Sequence, residues 1–203
     1  MTEETVKERQ ARVQKAGGDW EEYVRLFLTE KLRNKGIKIL RGDKIAPNSV
    51  LWRKLSIPIK VSTLQESVWG DIDLVAVKGK IPVAIISCKL SLHGRFTETL
   101  FYSILFRMMT RIKVVLATPD AGRGQRGRWQ SEWGEPEKPT KDRLLAESYL
   151  DGVYVDNLKQ FCRYIKTGQT TVFGGIVRPL SELPEDLVKW AEEASKFIYV
   201  RKT

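Results

Sequence analysis

The chain has 203 residues, 42% of them hydrophobic, enough to bury one good core and too few to promise two. Its 35 Lys+Arg against 25 Asp+Glu leave a formal charge of +10, which favours polyanionic partners, nucleic acid among them, through counterion release and long-range attraction. Two cysteines, one histidine and no CxxC pair argue against a disulfide framework and a structural zinc site, so any metal is expected to be a hard cation held by carboxylates. The charged start MTEETVKERQ has no apolar h-region, and no apolar run reaches the roughly 18 residues of a spanning helix; the expected location is cytoplasmic, with no membrane partner.

Residues 2–16 are charged and helix-favouring, and Gly17-Gly18 is expected to break the chain before DWEEYVRLFLTEKLRNKG. There Asp19 can cap a helix whose Trp20, Val24, Phe27, Leu28 and Leu32 recur at helical spacing up to about Gly36. The stretch from IKIL to IPIKV mixes short β-prone runs with Pro47 and Pro58 and reads as strands and loops. IDLVAVKGKIPVAIIS carries two β-rich runs around Lys78-Gly79-Lys80, the pattern of two antiparallel strands and a tight turn. A helix from about Thr97 to Thr110 follows, with Phe96, Leu100, Ile104 and Met108 as its core stripe.

Beyond it come a strand IKVVLAT, a short helix near Leu144 to Leu150, a strand GVYV, a helix from Asn157 to Ile165, and a last helix in LPEDLVKWAEEASKF. Strands alternating with helices indicate an α/β fold, a sheet with helices packed on its faces. Residues 121–143, AGRGQRGRWQSEWGEPEKPTKDR, are expected to form a long basic loop with little to bury.

The hairpin carries the candidate chemistry. Asp73 opens its first strand and Lys89 closes its second, so the turn returns them to the same level. Ser87 and Lys89 share one strand face, whereas Cys88 points the other way, into the core. A carboxylate beside a lysine at a strand end suits phosphodiester hydrolysis assisted by a divalent cation.

The stretch GDIDLVAVKGKIPVAIISCK resembles the core of the PD-(D/E)xK nucleases. That resemblance covers roughly residues 18–118 and implies a mixed central β-sheet flanked by helices, one nuclease domain over 1–203, and Mg2+-dependent cleavage of DNA. It puts the first acidic ligand on Asp73 and the lysine on Lys89, with Asp71 as a secondary metal ligand. Ser87 stands where the pattern has its second acid. In SCKLSLHGRFTETL the chain is similar to restriction endonucleases with an SxK or CK variant, whose missing glutamate comes from the next helix; here that acid is Glu98, with Glu66, Glu21 and Glu22 as alternative donors. Arg95 is a candidate for holding the scissile phosphate.

In the 121–143 segment, Arg123, Gln125, Arg126, Arg128 and Trp129 are candidate DNA contacts, since Arg and Gln are residue types that read base edges. The expected function is that of a type II restriction endonuclease cutting double-stranded DNA at a short palindrome as a homodimer, a two-fold protein on a two-fold site. The alternatives are a structure-specific nuclease of the junction-resolvase kind and a DNA-binding module with a decayed site.

Overall fold

The computed structural model describes residues 6–61, 64–70, 72–92, 96–125, 128–158, 160–161 and 170–200. The first element is helix α1, Val6–Lys31, which buries Trp20, Val24 and Leu28 on one stripe, with Leu32 just beyond its end. It runs straight through Gly17-Gly18, where a break was expected. Each glycine costs a helix interior about 1 kcal/mol relative to Ala. Burying the Trp20 to Leu32 stripe outweighs that, because each fully buried large apolar side chain is worth about 1.5–3 kcal/mol. Gly36 takes a left-handed conformation, φ 67, and turns the chain into strand β1, Ile37–Arg41.

A 3-10 turn, Gly42–Lys44, precedes helix α2, Val50–Leu55, whose first turn is capped by the Ser49 hydroxyl accepting from the Trp52 N–H. Strands β2, Ser56–Val61, and β3, Leu64–Trp69, then pair antiparallel as a separate two-stranded sheet, at whose base Trp52 stacks on Trp69.

Strands β4, Leu74–Lys78, and β5, Ile81–Cys88, form the expected antiparallel hairpin, turning at Gly79 with φ 62 and pairing Leu74 with Ile86. Helix α3, Phe96–Met109, leads to strand β6, Lys113–Thr118, and helix α4, Lys141–Tyr149, to strand β9, Gly152–Val155. Strand β10, Val177–Pro179, and helix α5, Leu183–Val200, complete the order. The main sheet runs β1-β4-β5-β6-β9-β10, antiparallel across β1, β4 and β5 and parallel from β5 to β10. It is a mixed α/β sheet, with α1 and α5 packed on one face and α3 and α4 on the other.

Two expectations change in this frame. The 121–143 segment is not a bare loop: Arg123–Gln125 and Arg128–Gln130 form a short hairpin, β7 and β8, and Trp129 and Trp133 are buried beneath it. On α3, Phe96 and Leu100 are core, but Ile104 is exposed and Met108 is 78% exposed; the inner face continues instead through Thr99, Ser103 and Phe106. Steps of four residues advance about 40° beyond a full turn each time, so a stripe of three such steps rotates away from the sheet. Most of the predicted helix from Asn157 to Ile165 lies outside the described residues.

Candidate active site

β5 brings Ser87 and Cys88 to the sheet end where Asp73 enters β4, because the antiparallel register sets the start of one strand beside the end of the other. One carboxylate oxygen of Asp73, Oδ2, gathers three donors: the Cys88 backbone N–H at 2.6 Å, the Lys89 Nζ at 3.1 Å and the Ser87 hydroxyl at 3.4 Å. The Lys89 and Asp73 side chains are only 6% and 15% exposed. Both charges are largely desolvated, so their geometry must be held by neighbours as well as by mutual attraction.

The holding groups are identifiable. Lys89 donates its backbone N–H to the Ala117 carbonyl of β6 at 3.1 Å, which continues the parallel ladder one residue past the strand. Ser87 lies 3.0 Å from the Thr99 hydroxyl of α3, both side chains buried. With the Ser87 proton directed to Asp73, Thr99 is the donor of that pair. From the β1 side, Gly42 donates its N–H to the Asp73 carbonyl at 2.8 Å, and a Cβ at position 42 would lie 1.8 Å from the Ile72 carbonyl oxygen. Only glycine permits that approach. Cys88 points away from the pair into the α1 side of the core, as its place in the strand requires, and burial pushes its thiol well above the ordinary range, with Asp73 and Glu21 adding to the rise.

α1 adds a second carboxylate. Burial raises the Glu21 carboxyl pKa, Arg41 at 3.4 Å lowers it, and the negative charge of Asp73 raises it further, leaving a net rise. Glu21 therefore shares an electrostatic environment with Asp73. Glu98, in the first turn of α3, is exposed, and the α3 side chain tied to the pair is its neighbour Thr99. Asp71, Arg95 and Arg126 lie outside the described residues. Among the described residues no group of three or more His, Cys, Asp or Glu is arranged to hold a metal. The carboxylate of Asp73 has the chemistry of a Mg2+ ligand, an ion that commonly takes one or two carboxylates and fills its shell with water and substrate phosphate.

The expected DNA-contacting residues divide. Arg123 is half exposed and pairs with Asp142 of α4 at 2.5 Å. Gln125 and Arg128 are paired positions in the β7–β8 hairpin. Trp129 is 9% exposed, and a Cβ at Gly122 would fall 2.1 Å from its Nε1, so the indole packs closely against the hairpin. Trp133 is likewise internal, edge to face with Phe96 at 5.8 Å. Beside Arg41, a groove of about 470 Å3 is lined by Arg25, Arg41 and Lys44 together with Glu22 and the apolar Ile39, Leu40 and Ile45. Thr99 and Arg41 carried no sequence signal, since a lone hydroxyl in a helix and a lone Arg after a strand match no motif.

The mixed sheet with a carboxylate and a lysine at adjoining strand ends defines a PD-(D/E)xK-like restriction-endonuclease fold. Residues 49–171 match the family of BsaWI restriction endonuclease type 2, and the chain belongs to that family. Among solved structures it is similar to the specific restriction endonuclease AgeI in complex with DNA, at a TM-score of 0.62 and 18% identity over 92% of this chain and 70% of that one. It also aligns with the restriction endonuclease PspGI–substrate DNA complex, at a TM-score of 0.49 and 14% identity, covering 91% of this chain and 65% of that one. No curated protein matches the chain.

Proposed function

We propose that the chain is a type II restriction endonuclease that binds double-stranded DNA as a homodimer and makes Mg2+-dependent double-strand cuts at a short palindromic sequence. The observation that carries this is the buried Asp73–Lys89 pair, fixed at 3.1 Å by donors from β5, in a chain of a restriction-endonuclease family. Bound Mg2+ would lower the pKa of its water and offset charge developing on the scissile phosphate.

The protein's own groups divide the remaining work. Asp73 supplies the first carboxylate, held in one orientation by Cys88 and Ser87. Lys89, buried beside that carboxylate, presents a cation to the attacking water and to the phosphate, acting by position and charge. Glu98 is the proposed second ligand. Glu21 is the rival, supported by its burial and by its electrostatic contact with Asp73, and Asp71 stays a secondary candidate. Arg95 is assigned to the phosphate, and Arg123, Gln125, Arg126, Arg128 and Trp129 of the basic 121–143 segment to the DNA, Trp129 from a position that is 9% exposed.

Incubating the protein with unmethylated plasmid DNA and Mg2+ and resolving the products on a gel tests the reading. Discrete fragments are expected; cleavage of branched DNA alone would favour a junction nuclease, and binding without cleavage would exclude an enzyme. Asp73→Ala should abolish cutting and preserve DNA binding. Comparing the Mg2+ concentration dependence of Glu98→Ala and Glu21→Gln then assigns the second ligand, since only the true ligand shifts it.

A further inference from the structure

Glu132 follows β8 by two residues, yet its side chain is completely buried and reaches the exit of the catalytic strand. Its Oε1 accepts hydrogen bonds from the Ser91 hydroxyl and the Leu92 backbone N–H, both at 3.1 Å. Ser91 lies two residues beyond Lys89, whose own N–H is fixed to Ala117. The segment carrying the lysine is thus fastened to β6 at one end and to the base of the β7–β8 hairpin at the other. Glu132 is held in turn: its N–H donates to Asp120 Oδ1 at 2.8 Å, and its carbonyl accepts the Thr140 hydroxyl at 2.8 Å, at the cap of α4. Asp120, also buried, sits in the left-handed region at φ 50 two residues after the end of β6 and accepts from Ser131 and Thr171 besides.

We propose that Glu132 is a positioning residue that couples the basic hairpin to the Asp73–Lys89 pair, so that engagement of DNA by the hairpin sets the placement of Lys89. This rests on the reading of the chain as a nuclease whose hairpin meets DNA. Several bonds support it. Oε1 of this fully buried side chain accepts two hydrogen bonds from the catalytic strand exit, whereas holding the hairpin alone would need only the backbone contacts of Glu132. The path from β8 to Lys89 is short: Glu132 Oε1 bonds Ser91 and Leu92, and Ser91 is two residues from Lys89 along the chain.

The test compares wild type, Glu132→Ala, Glu132→Gln and Ser91→Ala. DNA affinity is measured without metal, cleavage in single-turnover reactions with Mg2+, and backbone amide exchange with and without DNA. In the wild type, DNA is expected to slow exchange both in the hairpin and in residues 86–92. Glu132→Ala should bind DNA as well as wild type, cut about tenfold or more slowly, and show protection confined to the hairpin. Glu132→Gln, which keeps an oxygen acceptor for Ser91 and Leu92, should recover most of the rate. Ser91→Ala removes one of the link's two hydrogen bonds from a half-exposed position, so a partial loss of rate and of protection at 86–92 reads the coupling even if Glu132→Ala does not fold.

Unchanged protection at 86–92 in Glu132→Ala or Ser91→Ala, or affinity and rate falling in equal proportion, overturns the coupling. A wild type that cuts DNA without protecting 86–92 overturns it while leaving the nuclease reading intact. A wild type that binds, shows coupled protection and never cuts sinks the nuclease reading alone, and one that binds no DNA sinks both.

Discussion

At Glu21 the chain holds an acid whose pKa is raised from its ordinary value of 4.5, by burial first and then by Asp73, against the pull of Arg41. For a carboxyl raised in the folded state, the stabilising contribution is fully present below the unfolded value and is lost as pH rises through the folded value. At neutral pH, charged Glu21 therefore opposes folding of the metal-free protein. Glu21→Gln should raise the metal-free melting temperature at pH 7, and the gain should vanish as the pH is lowered below the unfolded value; melting curves across that range check it. Mg2+ is expected to stabilise the wild type by mass action and to lose that effect in Asp73→Ala, read as a shift in melting temperature with added metal. Asp73 and Lys89 were legible in the sequence because a hairpin places its two ends together whatever else the fold does. Glu132 was not. Its partners Ser91 and Leu92 are about forty residues away in sequence, and no local pattern joins them.

Among elements, α1 shows how packing overrides propensity. Gly17 and Gly18 lie within the helix, and a Cβ at either meets nothing within 4 Å. Gly17→Ala and Gly18→Ala should each stabilise the protein by about 0.5–1 kcal/mol, measured by denaturant unfolding, through a less entropic unfolded chain and better helix propensity. The segment after β6 reversed the other expectation. Glycine and arginine made it look unable to bury anything, but Trp129 and Trp133 each supply a large apolar surface, and Asp120 and Glu132 turn inward to bind backbone and hydroxyl groups. Two indoles and two buried acids do what a regular apolar period does elsewhere. Periodicity could not announce them, because no repeat exists. Trp133→Ala should cost about 3–5 kcal/mol, since the ring is fully buried against Phe96.

For the molecule as a whole, the α/β class and the β4–β5 hairpin were readable because β-rich runs alternate with helical segments, whereas the pairing of β1 with β4 across β2 and β3 was not, since strand succession does not fix sheet order. No helix among the described residues is long and apolar enough to cross a membrane. The excess of positive charge predicts that DNA affinity falls linearly in a log–log plot against salt, and titrations at several ionic strengths give the number of phosphates neutralised. Light scattering with and without a cleavable duplex tests the homodimer.

The close approach of Gly42 to the Ile72 carbonyl also makes position 42 a fixed point for variation. In a saturation library screened for activity, glycine alone should survive there, while the exposed flanking Asp43 and Lys44 accept many replacements. A position with no side chain would then emerge as one of the least replaceable in the chain.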